Sequence, residues 1–405
     1  MHLLKTLRND FSLSALAAGL IAVTVSYAGP AVIVFQAAKV GHLTAEQLSS
    51  WIWAISIGSG ITGIFLSLRF KAPVITAWST PGAALLVAGL AQYGYAEAIG
   101  AFIFSAVLLT LFGITGLFSR VMERIPKGVV AGMLAGVLFQ FGTNLFGSLE
   151  RLPALVLPII LVYLVGKRWF PRYAVVAALM VGLFTAIGMG RVNGHILSIS
   201  LATPVFTMPV YSLSALIGLG IPLCFVTMAS QNAPGVAVLQ TAGYRVPVSP
   251  LITTTGLASL LLAPFGAHGI NLAAITAAIC TGPEAHAQPE RRYVAGVVCG
   301  AFYVLVGAFG AIVASLFSAL PDTLIASLAG LALLGALAGG LGGAMAEEKR
   351  RESALIAFLI TASGVTFFGI GAAFWGLLGG VLANGILFGS FSRVAWNKNT
   401  AGEKR

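Results

Sequence analysis

The sequence predicts an all-α polytopic membrane protein with 14 transmembrane segments, arranged as two inverted seven-segment repeats. Three observations lead to this fold class. Of the 405 residues, 58% are hydrophobic and only 9% are charged, whereas a soluble domain has about 25% charged residues. The charged residues cluster between apolar runs, and patterns in the first half of the chain recur in the second. A water-soluble enzyme and a disordered chain are both excluded by this composition.

The apolar runs are interpreted as membrane-spanning segments, since a helix needs roughly 20 apolar residues to cross a bilayer. In chain order, the predicted segments cover residues 12–37, 47–68, 73–90, 96–118, 127–147, 153–169, 173–189, 212–242, 249–264, 268–281, 293–318, 322–345, 353–368 and 371–391. The first is too long to be a cleavable signal peptide. Trp51, Trp169 and Trp396 fall at predicted membrane interfaces, where indole rings settle.

The distribution of basic residues predicts the orientation. With a cytoplasmic amino terminus, only Lys39, Arg151 and Arg191 of the 23 Lys and Arg residues lie outside. This is a strong positive-inside bias, and it predicts a multi-pass protein of the cytoplasmic (inner) membrane with both termini in the cytoplasm. The net charge of +11 then reflects anchoring beside anionic lipid, and no nucleic-acid partner is expected.

The third and tenth segments are predicted to begin as a short strand and continue as a half-helix. In the third, an extended β-branched stretch meets Ser79-Thr-Pro-Gly, and Ser or Thr before Pro is typical of a helix start. The tenth, residues 266–276, has the same shape, with Asn271 as the expected N-cap. Irregular backbone at membrane depth persists only where protein or a cavity covers it.

An internal repeat relates the two halves. Residues 26–38 and 230–242 share six of thirteen positions. Segments 1, 3 and 5 therefore correspond to segments 8, 10 and 12. Because seven is odd, the second repeat enters the membrane from the opposite side. Inverted repeats with interrupted helices are typical of secondary transporters, whose site lies at the midplane.

Two stretches, Gln231-Asn-Ala-Pro-Gly-Val-Ala-Val-Leu-Gln-Thr-Ala-Gly-Tyr and residues 266–286, resemble the benzoate–proton symporter (BenE-type) family. The resemblance covers essentially the whole chain. It implies an architecture similar to that of nucleobase transporters and their anion-exchanger relatives. It further implies a core domain of residues 11–118 and 212–318, a gate domain of residues 119–211 and 319–391, and a cytoplasmic tail, 392–405. Nucleobase transporters carry a substrate-binding Glu where this chain has Gln231, and a second Glu where it has Ile270, next to Asn271. This departure disfavours a neutral pyrimidine cargo.

The predicted site binds an anion without a carboxylate, a metal or a cofactor. Each half-helix amino terminus carries about half a positive charge and free N–H donors. All 12 Asp and Glu residues are placed at segment ends, in loops or in tails. The candidate substrate-binding residues are Tyr27, Trp78, Ser79, Thr80, Gln231, Asn232, Phe265 and Asn271. The alternative roles are helix capping and interhelical hydrogen bonding for the polar members and core packing for the aromatic ones.

A proton carrier is also expected, because the entry of one anion against about −100 mV costs about 2.3 kcal/mol and one proton cancels that charge. His268 is the only histidine near membrane depth, and its ordinary pKa near 6.5 suits a relay. The alternatives are a neutral, packed histidine and protonation of the ligand's own carboxylate. Glu284 and His286 lie in the loop after the tenth segment, and their role stays open.

The function that the residues and the resemblance favour is proton-coupled uptake of benzoate or a similar aromatic monocarboxylate by alternating access. The alternative is a proton-coupled transporter of a nucleobase or another small anion on the same fold. A channel is disfavoured because the interior lacks charged rings. An enzyme and an ATP-driven pump are disfavoured because metalloprotease, Walker and Cys-x-x-Cys motifs are absent. The sequence leaves the oligomeric state open, a homodimer included.

Overall fold

The computed structural model describes residues 7, 9–28, 30–118, 120, 126–192 and 200–388. The predicted tail at 392–405 and Trp396 lie outside the described residues. Within them the chain is mostly helical, which confirms the all-α part of the predicted class.

In the first half of the chain, the described residues form eight α-helices and one strand. They are α1 Leu13–Ala28, α2 Pro30–Val40, α3 Ala45–Phe70, β1 Thr76–Trp78, α4 Thr80–Leu90, α5 Tyr95–Ile114, α6 Lys127–Arg151, α7 Pro153–Trp169 and α8 Ala174–Gly188.

In the second half, the described residues form another eight helices and one strand. They are α9 Leu213–Thr241, α10 Val248–Leu262, β2 Ile270–Leu272, α11 Ile275–Thr281, α12 Tyr293–Ala308, α13 Gly310–Ser318, α14 Asp322–Met345, α15 Arg351–Ala362 and α16 Ala372–Phe388.

The surface and the helix lengths fit a bilayer. Eight helical stretches in the described part are long and apolar enough to cross a membrane, with Leu13–Val40 taken as one stretch. Large apolar side chains such as Leu161, Phe184 and Ile386 are exposed, as expected where lipid replaces water. In the described part of the chain, no Asp, Glu, Lys or Arg is buried. The interior formed by these residues is therefore free of fixed charge.

Helix α9 contains two π-helical turns, Leu216–Gly220 and Met228–Asn232. Each turn is followed within two residues by a proline, Pro222 or Pro234. A proline inside a helix has no N–H to donate and crowds the carbonyl four residues earlier, so the helix widens there. The second π turn holds Gln231 and Asn232 beside the break.

Two groups of helices pack among themselves. Helix α3 packs along α12 and α5 along α10, while α6 packs against α14 and α15. Glycine permits the closest approaches: a Cβ on Gly60 would lie 2.5 Å from Gly300 O, and a Cβ on Gly132 would lie 2.2 Å from Ala354 O. Small residues at such crossings are typical of membrane helices.

The segment 200–212 has no regular secondary structure. It hydrogen-bonds to the first helix group: Ala202 N donates to Ala308 O at 2.9 Å, and Val210 N donates to Ala96 O at 2.9 Å. The carboxyl end of the range predicted as 119–211 is thus tied to elements of the predicted core ranges.

Candidate functional site

The site is organised by a two-stranded antiparallel ladder of β1 and β2, in which Thr76 pairs with Leu272 and Trp78 with Ile270. Helix α4 leaves one end of the ladder and α11 leaves the other. Because the strands are antiparallel, the amino-terminal turns of both short helices lie at the ladder. This arrangement brings together segments almost 200 residues apart in sequence.

Neighbouring helices hold the ladder through buried side-chain hydrogen bonds. Thr76 Oγ1 donates to Ser59 O of α3 at 2.6 Å. Asn232 Oδ1, in the second π turn of α9, accepts from Leu272 N at 2.9 Å. Asn232 therefore satisfies a backbone donor of β2, which is the capping alternative of its predicted role.

Ser79 and Asn271 meet between the strands. Ser79 is the N-cap of α4, and its Oγ accepts from Gly82 N at 3.0 Å. Asn271, in the amide orientation that satisfies both its groups, accepts from Ser79 N at 2.9 Å and donates to Leu272 O at 3.0 Å. The prediction that Asn271 is an N-cap is wrong. Helix α11 begins four residues later, at Ile275, because residues 270–272 are drawn into the ladder.

A cavity of about 870 Å³ adjoins the ladder. Its wall includes Trp78 of β1, Thr80 at the start of α4, Gln231 of the second π turn and Thr276 in the first turn of α11. Three of the predicted binding residues, Trp78, Thr80 and Gln231, therefore share one cavity. The facing wall comes from α6, α7 and the second half of α14.

The charged residues of the cavity wall are both lysines, Lys127 and Lys167. Both are exposed, one at the start of α6 and one in the last turn of α7. The cavity therefore reaches the surface at the end of the molecule that carries them, and its electrostatic potential favours an anion.

A buried aromatic cluster lies behind Trp78. The ring centroids of Trp78 and Tyr27 are 5.0 Å apart, and those of Trp78 and Tyr303 are 5.7 Å apart, both edge to face. Tyr27 and Ser56 share a hydrogen bond between their hydroxyls, and Tyr303 donates to Ser26 Oγ at 2.6 Å. Tyr27 thus supports the wall residue Trp78 through ring contact.

His268 is buried, and both its ring nitrogens are engaged. Trp51 Nε1 donates to His268 Nδ1 at 2.9 Å, and His268 Nε2 lies 3.0 Å from Ser79 O. An indole N–H only donates, so Nδ1 is unprotonated and Nε2 carries the hydrogen. Trp51, predicted to lie at a membrane interface, is fully buried in the protein, so its indole does not face lipid headgroups. Trp169 is 73% exposed.

Phe265 lies apart from the cavity wall described above. Its ring packs edge to face against Trp53 and Phe206, with centroids 5.9 and 5.8 Å apart. Its carbonyl oxygen accepts from Ser50 Oγ at 3.0 Å. Phe265 therefore packs between α3 and the segment 200–212.

Sequence reasoning missed several wall residues. In the sequence, Thr276 has the pattern of an ordinary helix residue. Lys127 and Lys167 have the pattern of basic residues that anchor the membrane topology. A wall of small residues on α14 was also missed: Ala332, Gly335, Ala336, Gly339, Gly340 and Gly343. Their spacing of three and four places them on one helix face, and that periodicity was the available signal.

The chain is similar to known proteins in both sequence and fold. The sequence model of the BenE family, described as "Benzoate membrane transport protein", matches residues 9–386. The chain is 47% identical to the benzoate membrane transport protein of Acinetobacter baylyi, over 95% of this chain and 98% of that protein. It is also 47% identical to the inner membrane protein YdcO of Escherichia coli, over 90% and 93% respectively.

Among solved structures, the fold resembles the transmembrane domain of the cyanobacterial bicarbonate transporter BicA. The TM-score is 0.62 at 16% identity, covering 91% of this chain and 97% of that one. It also resembles the murine anion transporter Slc26a9 in the inward-facing state. That TM-score is 0.61 at 13% identity, covering 93% of this chain and 68% of that one.

Proposed function

The chain belongs to the BenE family of benzoate membrane transport proteins, and we propose that it takes up benzoate or a similar aromatic monocarboxylate together with a proton. The family relatives are named as transport proteins rather than enzymes. We propose alternating access across the inner membrane as the mechanism, with both termini in the cytoplasm. The 14-segment count and the inverted seven-plus-seven repeat are parts of the same proposal.

One observation supports an anion as the transported cargo. The cavity beside the ladder contains the first turns of both short helices, and its two charged wall residues are Lys127 and Lys167. Helix amino termini present free N–H groups and partial positive charge. Both half-helix amino termini and both lysines of this wall therefore favour a negatively charged cargo.

An aromatic cargo is supported by the apolar parts of the same wall. Trp78 and Pro81 lie on the ladder side, and Val130, Leu134 and Leu333 lie on the facing helices. A planar ring that moves from water into contact with such surfaces gains roughly 25 cal/mol for each Å² of apolar area buried. A bicarbonate-sized ion gains nothing from them, which favours an aromatic acid over a small inorganic anion.

Proton coupling follows from the energetics of the anion. A carboxylic acid with an ordinary pKa near 4.3 is ionised at neutral pH. Its entry against about −100 mV costs about 2.3 kcal/mol, which one co-transported proton removes. Two carriers are proposed: His268, which must then release its bond from Trp51, or the cargo's own carboxylate. The occupied ring nitrogens of His268 favour the carboxylate.

The described conformation is proposed to face inward. The cavity reaches the end of the molecule with Lys127 and Lys167, which the charge distribution assigns to the cytoplasm. At the opposite end of α14, Asp322 forms an ion pair with Lys39 of α2. That pair joins the proposed core and gate domains on the outer side.

Radiolabelled benzoate uptake into proteoliposomes tests the function directly. We expect accumulation driven by an inward proton gradient and abolished by a protonophore. Unlabelled benzoate should compete, and uracil and bicarbonate should not. Uptake that ignores the pH gradient contradicts symport, whereas competition by uracil or bicarbonate alone supports the nucleobase or small-anion alternative.

A further inference from the structure

Two residues that line the cavity each have a buried side-chain hydrogen-bond donor without a partner. Five buried side-chain N or O atoms in the described residues have no hydrogen bond, and they belong to Gln36, Ser49, Trp78, Thr276 and Asn384. Only Trp78 and Thr276 among them line the cavity. Buried polar groups are normally paired, so each exception needs an explanation.

The Thr276 hydroxyl is free because of where its helix begins. A buried threonine inside a helix commonly donates to the carbonyl four residues earlier. Thr110, Thr255 and Thr361 do so here, at 2.7, 3.0 and 2.8 Å. For Thr276 the residue four earlier is Leu272, which belongs to β2 and not to the helix. Thr276 is 6% exposed, so bulk water does not replace the missing bond.

The indole of Trp78 is fixed and equally buried. Trp78 is 2% exposed, and Tyr27 and Tyr303 contact its ring edge to face. Neither tyrosine hydroxyl bonds to the indole nitrogen, since they pair with Ser56 and Ser26. An indole N–H has no acceptor role, so only a group that accepts a hydrogen bond satisfies it.

We propose that the Trp78 indole N–H and the Thr276 hydroxyl are the side-chain donors that bind the carboxylate of the cargo. One donor comes from each broken segment, at the start of α4 and of α11. A carboxylate offers two charged acceptor oxygens, whereas an amide offers one neutral acceptor oxygen and adds N–H donors that the Trp78 indole cannot accept. This inference rests on the proposed function, and it assigns the preference for an acid over its neutral amide to these two residues.

The test is direct binding of benzoate and benzamide to purified protein by calorimetry. Thr276→Val keeps the shape of the side chain but removes the hydroxyl, and Trp78→Phe keeps an aromatic ring but removes the N–H. We expect each to weaken benzoate binding about 10-fold or more, because hydrogen bonds to charged groups are the stronger kind. Benzamide binding should change less, and Thr276→Ser should restore most of the benzoate affinity.

Thr255→Val is the matched control, since Thr255 is buried in α10 with its hydroxyl bonded to Leu251 O, and it should bind benzoate normally. Benzoate binding at wild-type strength in both Thr276→Val and Trp78→Phe overturns the inference and assigns the two donors to water. Equal losses for benzoate and benzamide also overturn it and indicate a packing role. If the wild-type protein itself does not bind benzoate, the proposed function fails instead.

Discussion

Trp51 donates its indole N–H to His268 Nδ1 at 2.9 Å, and this one contact determines the state of the histidine. The opposite nitrogen, Nε2, then carries the hydrogen toward Ser79 O. The ring is neutral and links α3, the turn before β2 and the N-cap of α4. A second proton on the ring requires the Trp51 contact to break, which leaves a buried donor without a partner.

The His268→Gln variant distinguishes a structural role of His268 from a role in proton transfer. Glutamine supplies one acceptor and one donor, as the neutral ring does, but does not titrate near neutral pH. We expect proton-driven benzoate accumulation in proteoliposomes to persist at a reduced level. Normal benzoate binding with complete loss of proton-driven accumulation would instead establish His268 as the relay. His268→Ala, which satisfies neither Trp51 nor Ser79, should lower the free energy of unfolding by about 1–3 kcal/mol.

Lys127 and Lys167 are expected to attract the anion to the mouth of the cavity, which is proposed to face the cytoplasm. The double variant Lys127→Gln, Lys167→Gln should raise the apparent KM for benzoate about 3- to 10-fold when substrate is offered from the cytoplasmic side. Both side chains are exposed, so the effect should shrink at 0.5 M salt. Inside-out vesicles allow the measurement. Lys349→Gln, a cytoplasmic change away from the cavity wall, serves as the control, and an equal effect of this control would rule out a local role.

The open face of α14 allows a labelling test of the conformation. A Cβ added at Gly335 or Gly339 would meet no atom within 4 Å, and both residues line the cavity. The native Cys224, Cys280 and Cys299 are all buried, which should keep background labelling low. We expect Gly339→Cys to react with an impermeant maleimide from the cytoplasmic side and benzoate to slow the reaction. Labelling only from the outside would contradict an inward-facing cavity.

The Lys39–Asp322 ion pair is expected to bias the conformational equilibrium more than the fold. The two side chains are 58% and 71% exposed, and exposed pairs contribute about 0.2–1 kcal/mol. Asp322→Asn should leave the unfolding midpoint unchanged but favour the outward-facing state by a factor of about 1.5 to 5. The readout is slower cytoplasmic labelling of Gly339→Cys. The exchanged pair Lys39→Asp, Asp322→Lys should restore the wild-type labelling rate. Failure to restore it would argue against an ion pair that holds the two proposed domains together.

The sequence by itself determined that this is a membrane protein. A chain with 58% hydrophobic and 9% charged residues has too few charged residues to cover a surface in water and is stable in a lipid bilayer. It also located the break at Ser79, since the rules for proline and helix caps act over a few residues and need no partner. Helix α14 matches the predicted segment 322–345 for the same local reason. Three candidates of the predicted site, Trp78, Thr80 and Gln231, lie together on one wall.

Only the tertiary structure decided what each polar side chain meets. Asn271 follows a helix-start pattern, but pairing of β2 with β1 claims its backbone and delays α11 to Ile275. Trp51 has the sequence position of an interface residue, but packing of α3 against the turn at His268 buries it. The free hydroxyl of Thr276 exists because a strand, and not a helix, precedes it. Each of these outcomes depends on contacts between segments that are distant in the chain, and local patterns carry no record of such contacts.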